Sequence, residues 1–460
     1  MSKQQDNEEM YAAREKIHPR EVKGIFQNLR VLTVILLLGI YYGLPWLQWG
    51  ERQAVLFDLP ARQFHLFALT FWPQDFVFLA LLLIISALGL FFVTALAGRL
   101  WCGYACPQTV WTEVFMWIER WTEGPRQKRI KLDQSPWNGN KIVRRGSKHA
   151  LWLLLGLWTG LTFVGYFTPI TELSGRALSL ELGPWETFWS LFYGFATWGN
   201  AGFLREQVCI YMCPYARFQS AMFDRDTLII SYDEKRGEPR GGRSRSVDPK
   251  AKGLGDCIDC NLCVQACPTG IDIRQGLQYE CIACAACIDA CDQVMDKMDY
   301  PRGLIRYSTE NEMEGKPSRI LRPRVFIYGT LLFLLTAGAV TGISLRSEVN
   351  MEVLADRNVM YREVDFQTLE NVYSVRILNK RMEARSFRLE ISGLEGAEVI
   401  THPETIRLGP GGTDNINARV RVPRDAVSGP GNPIEFRLVA EDDPSVFSRS
   451  RARFHGPMPD

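Results

Sequence analysis

Hydrophobic and polar positions divide the chain into two regimes that meet near residue 345. Before it, long uncharged runs alternate with polar stretches. Residues 31–50 hold twenty residues without a charge, enough for a helix to cross the ~30 Å hydrocarbon layer of a bilayer. Tyr41, Tyr42, Trp46 and Trp49 crowd the far end of this run, as an interfacial aromatic belt does. Residues 76–98, 150–171 and 325–344 form further uncharged runs. Residues 187–204 form another, shorter and richer in Gly, Trp and Asn. A buried core helix is the competing reading for that one. The pattern predicts a polytopic α-helical membrane protein of about five spans, with a four-span core over 31–224 and a last span over 325–344.

Beyond residue 345 the period changes to two. Residues 387–391, 416–422 and 434–438 alternate apolar and polar positions, with Gly, Pro and Asp turns between them. Short alternating strands of this kind predict an antiparallel sandwich over 345–460. The segment has no cysteine, so an immunoglobulin-like fold here lacks the usual disulfide.

Charge sets the expected orientation. Residues 120–149 carry nine Lys and Arg against two acids, whereas 51–75 carry two basic residues and 172–186 one. Basic loops stay inside. The 1–30 tail, the 120–149 loop and the 225–324 segment are therefore expected in the cytoplasm, and the C-terminal sandwich outside. The polar tail does not read as a cleavable signal peptide. All twelve cysteines lie before residue 292, consistent with thiols on the reducing side. Net charge is only +2, which suggests no nucleic-acid partner.

The chemistry concentrates in 225–324. Cys257, Cys260, Cys263 and Cys267 form C-x2-C-x2-C-x3-C-P, and Cys281, Cys284, Cys287 and Cys291 repeat the spacing. This is the two-cluster ferredoxin run, in which the fourth cysteine of each run serves the other cube. Cys257, Cys260, Cys263 and Cys291 are expected to hold one 4Fe–4S cluster. Cys281, Cys284, Cys287 and Cys267 are expected to hold the second. A structural zinc site uses four thiolates, typically as two spaced pairs, and explains neither the triple spacing nor its repetition. The second run has Asp292 where the first has Pro268. Residues 225–256, polar and basic, read as a loop leading onto this module.

A second cysteine pattern lies in the membrane part. Cys102 and Cys106, after the second run, and Cys209 and Cys213, after the fourth, both read C-x-Y-x-C-P. The i, i+4 spacing predicts both thiols on one helix face, with Cβ atoms roughly 5–6 Å apart. That is wider than the ~3.5–4.5 Å of a relaxed disulfide. A shared soft metal fits better, and thiolates favour Cu(I). Buried inert cysteines and a metal-free redox dithiol are the competing readings. The histidines at 18, 65, 149, 402 and 455 form no cluster, although His65 in the first outer loop could touch a metal. Trp101, Trp111, Trp117 and Trp121 read as anchors of an interfacial helix. No nucleotide, flavin, haem or hydrolase motif is present in the sequence.

Taken together, HPREVKG at 18–24, the two C-x-Y-x-C-P motifs and CPTGIDIR at 267–274 leading to QYEC at 278–281 resemble the FixG/RdxA family of cytochrome c oxidase accessory proteins, also called CcoG. The resemblance covers essentially the whole chain. It implies a multi-pass protein of the bacterial inner membrane with two 4Fe–4S clusters and a periplasmic immunoglobulin-like domain. It also implies a role in maturing the cbb3-type oxidase by reducing Cu(II) to Cu(I), near a copper-exporting ATPase, with Cys102, Cys106, Cys209 and Cys213 as the motif thiols. The electron donor is left open. A quinol-linked electron relay and a non-catalytic assembly scaffold are the alternatives. The orientation has a direct test: a reporter fused after residue 460 should behave as periplasmic and one fused near residue 249 as cytoplasmic, whereas the same behaviour at both sites would refute the topology.

Overall fold

The computed structural model describes residues 16–246, 248, 252–356, 360–381 and 383–457. Residues 1–15 of the expected tail and 458–460 of the expected sandwich lie outside the described residues. The chain forms two compact units, Met1–Ala339 and Val340–Asp460.

Among the described residues, three helical segments are long and apolar enough to cross a membrane: Ile25–Trp46, Pro73–Ala97 and Pro323–Ser344. They contain helices α1 (Ile25–Gly43), α2 (Phe76–Ala97) and, at the end of the first unit, a 22-residue helix Pro323–Ser344 that leads into the second. At 1.5 Å per residue the last is about 33 Å long. Between α1 and α2 lies a three-stranded antiparallel sheet of Val55–Asp58, Gln63–Leu66 and Leu69–Phe71. Short α3 (Leu100–Tyr104), amphipathic α4 (Pro107–Glu123) and basic α5 (Arg126–Gln134) follow.

The other two apolar runs differ from the expected spans. Helix α6 (Gly139–Val164) begins in charged sequence, so its uncharged part is only residues 150–164. Fifteen residues reach about 22 Å, short of the ~30 Å layer. The run turns after Val164 because its next backbone groups are held elsewhere. Buried Gln53 donates to the Gly165 carbonyl at 2.8 Å, and Phe57 N donates to the Tyr166 carbonyl at 2.7 Å. Helix α7 (Ile170–Leu178) then restarts the chain. Helix α8 (Pro184–Thr197) continues as a wide π-turn, Trp198–Leu204. Helices α6 and α8 pack with their backbones almost touching. A Cβ at Gly160 would stand 2.1 Å from the Ser190 carbonyl, and one at Gly156 2.7 Å from the Gly194 carbonyl. Small residues spaced by four permit this approach, a device of helix pairs in membranes.

After α9 (Pro214–Ala221), the stretch expected to be a loop contains a strand, Ile229–Tyr232, and the turn-long α10 (Glu234–Gly237). Buried Ile230 and Tyr232 place that strand in the core of the cysteine module, where it pairs with Ile305–Ser308. Between them lie α11 (Leu262–Ala266) and α12 (Ala286–Met298).

The second unit is a sandwich. One sheet orders Glu398–Thr401, Thr413–Pro423, Thr368–Asn379 and Val349–Ala355, with Arg362–Asp365 also paired to Thr368–Asn379. The other orders Ile406–Leu408, Arg385–Ser392, Asn432–Ala440 and Phe447–Phe454. All pairs are antiparallel. Each period-two run lies in a strand, and the inward positions Phe387, Val420, Phe436 and Leu438 are buried. Tyr373 crosses Phe436 edge-on at 5.0 Å and donates its hydroxyl to the Arg453 carbonyl at 2.8 Å. A fragment over 345–457 should unfold in one cooperative transition without bound metal. Phe436→Ala should destabilise it by roughly 3–5 kcal/mol, read by denaturant melts.

Candidate metal centre

The two C-x2-C-x2-C loops share one unusual backbone. Asp259 and Asn261 flank Cys260 with φ of 53° and 56°, and Ala283 and Ala285 flank Cys284 with φ of 53° and 59°. Left-handed backbone costs a non-glycine residue roughly 1–2 kcal/mol. Four such residues at matching positions curl each loop around its middle cysteine. A helix then starts at once, α11 after Asn261 and α12 after Ala285; α12 carries the third and fourth cysteines of its run, whereas α11 carries Cys263 and Cys267 is extended just past its end.

Thiols of the two runs lie close to one another. Burial raises the Cys291 thiol, and Cys263, Cys257 and Cys260 are among the charges that add to it. Burial likewise pushes Cys281 up to about 12, with Cys284 and Cys267 adding. Burial raises Cys287, and Cys284, Cys281, Cys267 and Cys263 all add to the rise. Cys263, Cys267, Cys281, Cys284 and Cys287 also line one small cavity, with Ala283 and several isoleucines. Among the described residues, no three His, Cys, Asp or Glu side chains converge as they would on a single ion. Thiols set around an open, small-residue cavity fit a polynuclear cluster instead, and bound metal would remove the thiol protons that burial retains. Asp292 is accounted for: it lies inside α12, where proline would break the helix, and accepts from Gly303 N at 3.0 Å.

The C-x-Y-x-C-P thiols do not share a helix face. Cys102 lies in α3, but Cys106 is extended, with φ −61° and ψ 129°, and α4 begins at Pro107. Cys209 lies in a π-turn, Val208–Met212, and Cys213 is extended before α9. The expected i, i+4 geometry fails because a residue preceding proline is driven out of the helical region. The four thiols lie in one neighbourhood, although among the described residues they do not close on a single point. Burial pushes Cys209 up to about 12, and Cys106, Cys102 and Cys213 all add to the rise. Burial pushes Cys102 up to about 11, against its contact with Gln219 Oε1 at 3.5 Å.

The first motif sits on the second cysteine loop. A Cβ at Gly103 would stand 2.7 Å from the Ile282 carbonyl and 2.8 Å from that of Ala283. Cys102 packs in one apolar group with Ile282 and Cys284. Arg99 donates to the Tyr279 carbonyl and, at 2.8 Å, to that of Ala216. Tyr307 donates to the Ala283 carbonyl at 2.6 Å and meets the Tyr104 hydroxyl at 3.4 Å. The second motif has Ile210 where the first has Gly103, and its Tyr211 and Met212 are exposed.

Sequence reasoning missed the role of residues 16–27. They strap the module to the basic helices. Arg20 N donates to the Gln265 carbonyl and Gln27 N to Asp289 Oδ2, both at 2.7 Å. Arg129 donates to the Pro19 carbonyl at 2.7 Å, and His18 Nε2 meets Asp133 at 2.9 Å. It also missed a buried ion cluster. Glu119 is fully buried between Arg205 at 2.8 Å and Arg129 at 3.1 Å. Burial alone would raise its carboxyl, but Arg205, Arg129 and Lys148 hold it down to about 2. His65 is buried against Thr70 at 3.0 Å, so it faces no metal site. Trp111 and Trp117 donate to Thr159 and Glu113 at 3.3 and 2.9 Å, while Trp121 is exposed.

Comparison with known proteins agrees with this anatomy. Residues 204–310 match a 4Fe–4S dicluster domain, 79–125 a 4Fe–4S binding domain, and 339–457 the IG-like fold at the C-terminus of FixG. Protein RdxB of Cereibacter sphaeroides is 40% identical over 94% of both chains. The nitrogen fixation protein FixG of Rhizobium meliloti is 37% identical over 97% of this chain and 94% of its own. Protein RdxA of Cereibacter sphaeroides is 39% identical over 85% of each. With relatives of this identity along nearly its whole length and 4Fe–4S domains beside a FixG-type sandwich, the chain belongs to the FixG/RdxA family of iron–sulfur electron-transfer proteins.

Proposed function

We propose that the protein carries single electrons from its cysteine module to the four motif thiols, where Cu(II) is reduced to Cu(I). In this reading Cys257, Cys260, Cys263 and Cys291 hold one cluster, and Cys281, Cys284, Cys287 and Cys267 the other. Bound clusters supply one-electron redox chemistry. The observation that carries the reading is the seat of Gly103 on the Ile282–Ala283 backbone, which sets Cys102 against the Cys281–Cys284 loop. Cys102, Cys106, Cys209 and Cys213 are the copper site. Cu(II) prefers nitrogen and oxygen donors, whereas thiolates hold Cu(I), so thiolates favour the reduced product. One electron converts the ion, and the thiols lose protons as the metal binds.

The same reading places the protein in the bacterial inner membrane, with α6 and α8 completing the membrane core as a closely packed hairpin. Leu154, Trp158, Phe188 and Phe192 on that hairpin are exposed, as lipid-facing residues are. Tail, module and motif thiols lie in the cytoplasm and the sandwich in the periplasm. Cu(I) then serves assembly of a cbb3-type oxidase, in reach of a copper-exporting ATPase.

Replacing all four motif cysteines by Ser should abolish copper binding, while iron content and the bleaching of cluster absorbance by dithionite stay unchanged. Cu(II) reduction at the original rate in that variant would overturn the copper site. Gly103→Ala should push Cys102 off the cluster loop and slow dithionite-driven copper reduction about tenfold or more, with iron content retained. An unchanged rate would refute this contact as the electron path.

A further inference from the structure

One cavity of about 270 Å³ lies apart from both thiol sites, between α4, α6 and the π-turn Trp198–Leu204. Three rings, His149, Trp152 and Phe203, form part of its wall beside charged residues. His149 stacks on Phe203 at 5.5 Å and 15°, and Trp152 meets His149 edge-on at 5.2 Å. Trp198 closes on Phe203 at 4.8 Å. The π-turn widens the helix where Phe203 enters the wall, and π-turns of this kind recur at functional sites. Directly after it, Arg205 takes φ 44°, a strained backbone for a non-glycine residue.

The polar groups narrow the choice of ligand. Lys16, Arg145, Lys148 and Arg205 line the cavity, and each is already paired. Arg205 holds Glu119 at 2.8 Å, Lys148 holds Glu123 at 2.7 Å, Lys16 holds Asp133 at 3.0 Å, and Arg145 also holds Asp133. An anion would find its cations engaged. His149 Nδ1, by contrast, is buried without a hydrogen-bond partner among the described residues. The site therefore suits a neutral, flat ring with a hydroxyl at its edge. Its volume suits one ring, smaller than the ~300–1,000 Å³ of pockets that enclose whole ligands, so an attached tail would stay outside. Phe203 is itself 43% exposed, and further along α6 Leu154 and Trp158 face outward, an apolar surface for such a tail.

The cavity also adjoins the redox groups. Arg205 and Glu206 line it and the neighbouring cavity, which is lined further by Cys209, Thr269 and Ile282. Thr269 Oγ1 lies 3.2 Å from Cys267 Sγ. Arg205 and Glu206 thus stand between this cavity and one that reaches Cys209 and, through Thr269, the neighbourhood of Cys267.

We propose that this cavity binds the ring of a membrane quinol and is where electrons enter the protein. The inference rests on the reading of the chain as an iron–sulfur electron carrier and supplies its donor. Oxidation breaks the two O–H bonds of the quinol and leaves a quinone. Each proton passes to His149 Nδ1 and then to water at the cavity mouth. The two electrons leave singly for the one-electron iron–sulfur acceptors of the cysteine module and reduce two Cu(II) ions in turn.

The test uses the full-length, cluster-loaded protein in detergent and decylubiquinone as probe. Binding is read by quenching of tryptophan fluorescence, with iron content measured alongside. His149→Gln and Phe203→Ala should each weaken binding about tenfold, the worth of roughly one hydrogen bond or ring contact, with iron content unchanged. Decylubiquinol should bleach the clusters of the unmodified protein and not those of His149→Gln, while dithionite bleaches both. No binding by the unmodified protein, or equal binding by both variants, would overturn the proposal. So would tight binding of phosphatidylglycerol that excludes the quinone. Failure of the dithionite-reduced protein to reduce Cu(II) would instead sink the copper reading, because quinone binding and cluster bleaching do not depend on it.

Discussion

The redox part of this protein depends on one backbone contact, that of Gly103 with the carbonyls of Ile282 and Ala283. Two cysteine systems from distant parts of the sequence meet there with no side chain between them. Everything around the contact holds it in register. Arg99 ties α3 to Tyr279 and Ala216, Tyr307 ties the far side of the loop to its own strand, and the 16–27 strap fixes α11 and α12 from behind. The left-handed alanines serve the same end, because loops that curl tightly present carbonyls outward and thiols inward.

The buried ions around Glu119 have a matching role among the helices α4, α5 and α6. A fully buried carboxylate is costly unless opposite charges surround it. Arg129 comes from α5, Lys148 from α6 and Arg205 from the end of the π-turn, so one carboxylate of α4 gathers three elements. Removing Glu119 would leave three cations facing one another, which is why the cluster fixes the arrangement of helices as well as stabilising it.

Much of this was legible in the sequence, for physical reasons. The strands at 387–391, 416–422 and 434–438 follow from a period of two, and the 4Fe–4S dicluster module from the cysteine spacing. The helices of 31–50, 76–98 and 325–344 follow from apolar length. The rest was set by tertiary partners. Nothing local predicts that Gln53 and Phe57 hold the carbonyls beyond Val164 and end an apolar run early. The i, i+4 reading of the motif thiols carried the helix as far as the second cysteine and let the proline end it there, whereas a residue preceding proline is itself driven out of the helix. The signal that only the first motif docks was present as glycine at 103 against isoleucine at 210, but its meaning needed the partner loop.

The strap has a consequence for how the protein is made. Arg20 hydrogen-bonds to Gln265, which is 245 residues further along the chain. At ~5–20 residues per second, translation separates the two by roughly 12–49 s. Throughout that interval the first helices can enter the membrane while residues 16–27 have nothing to close upon. The strap therefore acts as a clasp fastened late. Its partners Gln265 and Asp289 are each made only after the cysteine loop before them has begun, so the strap joins α11 and α12 late.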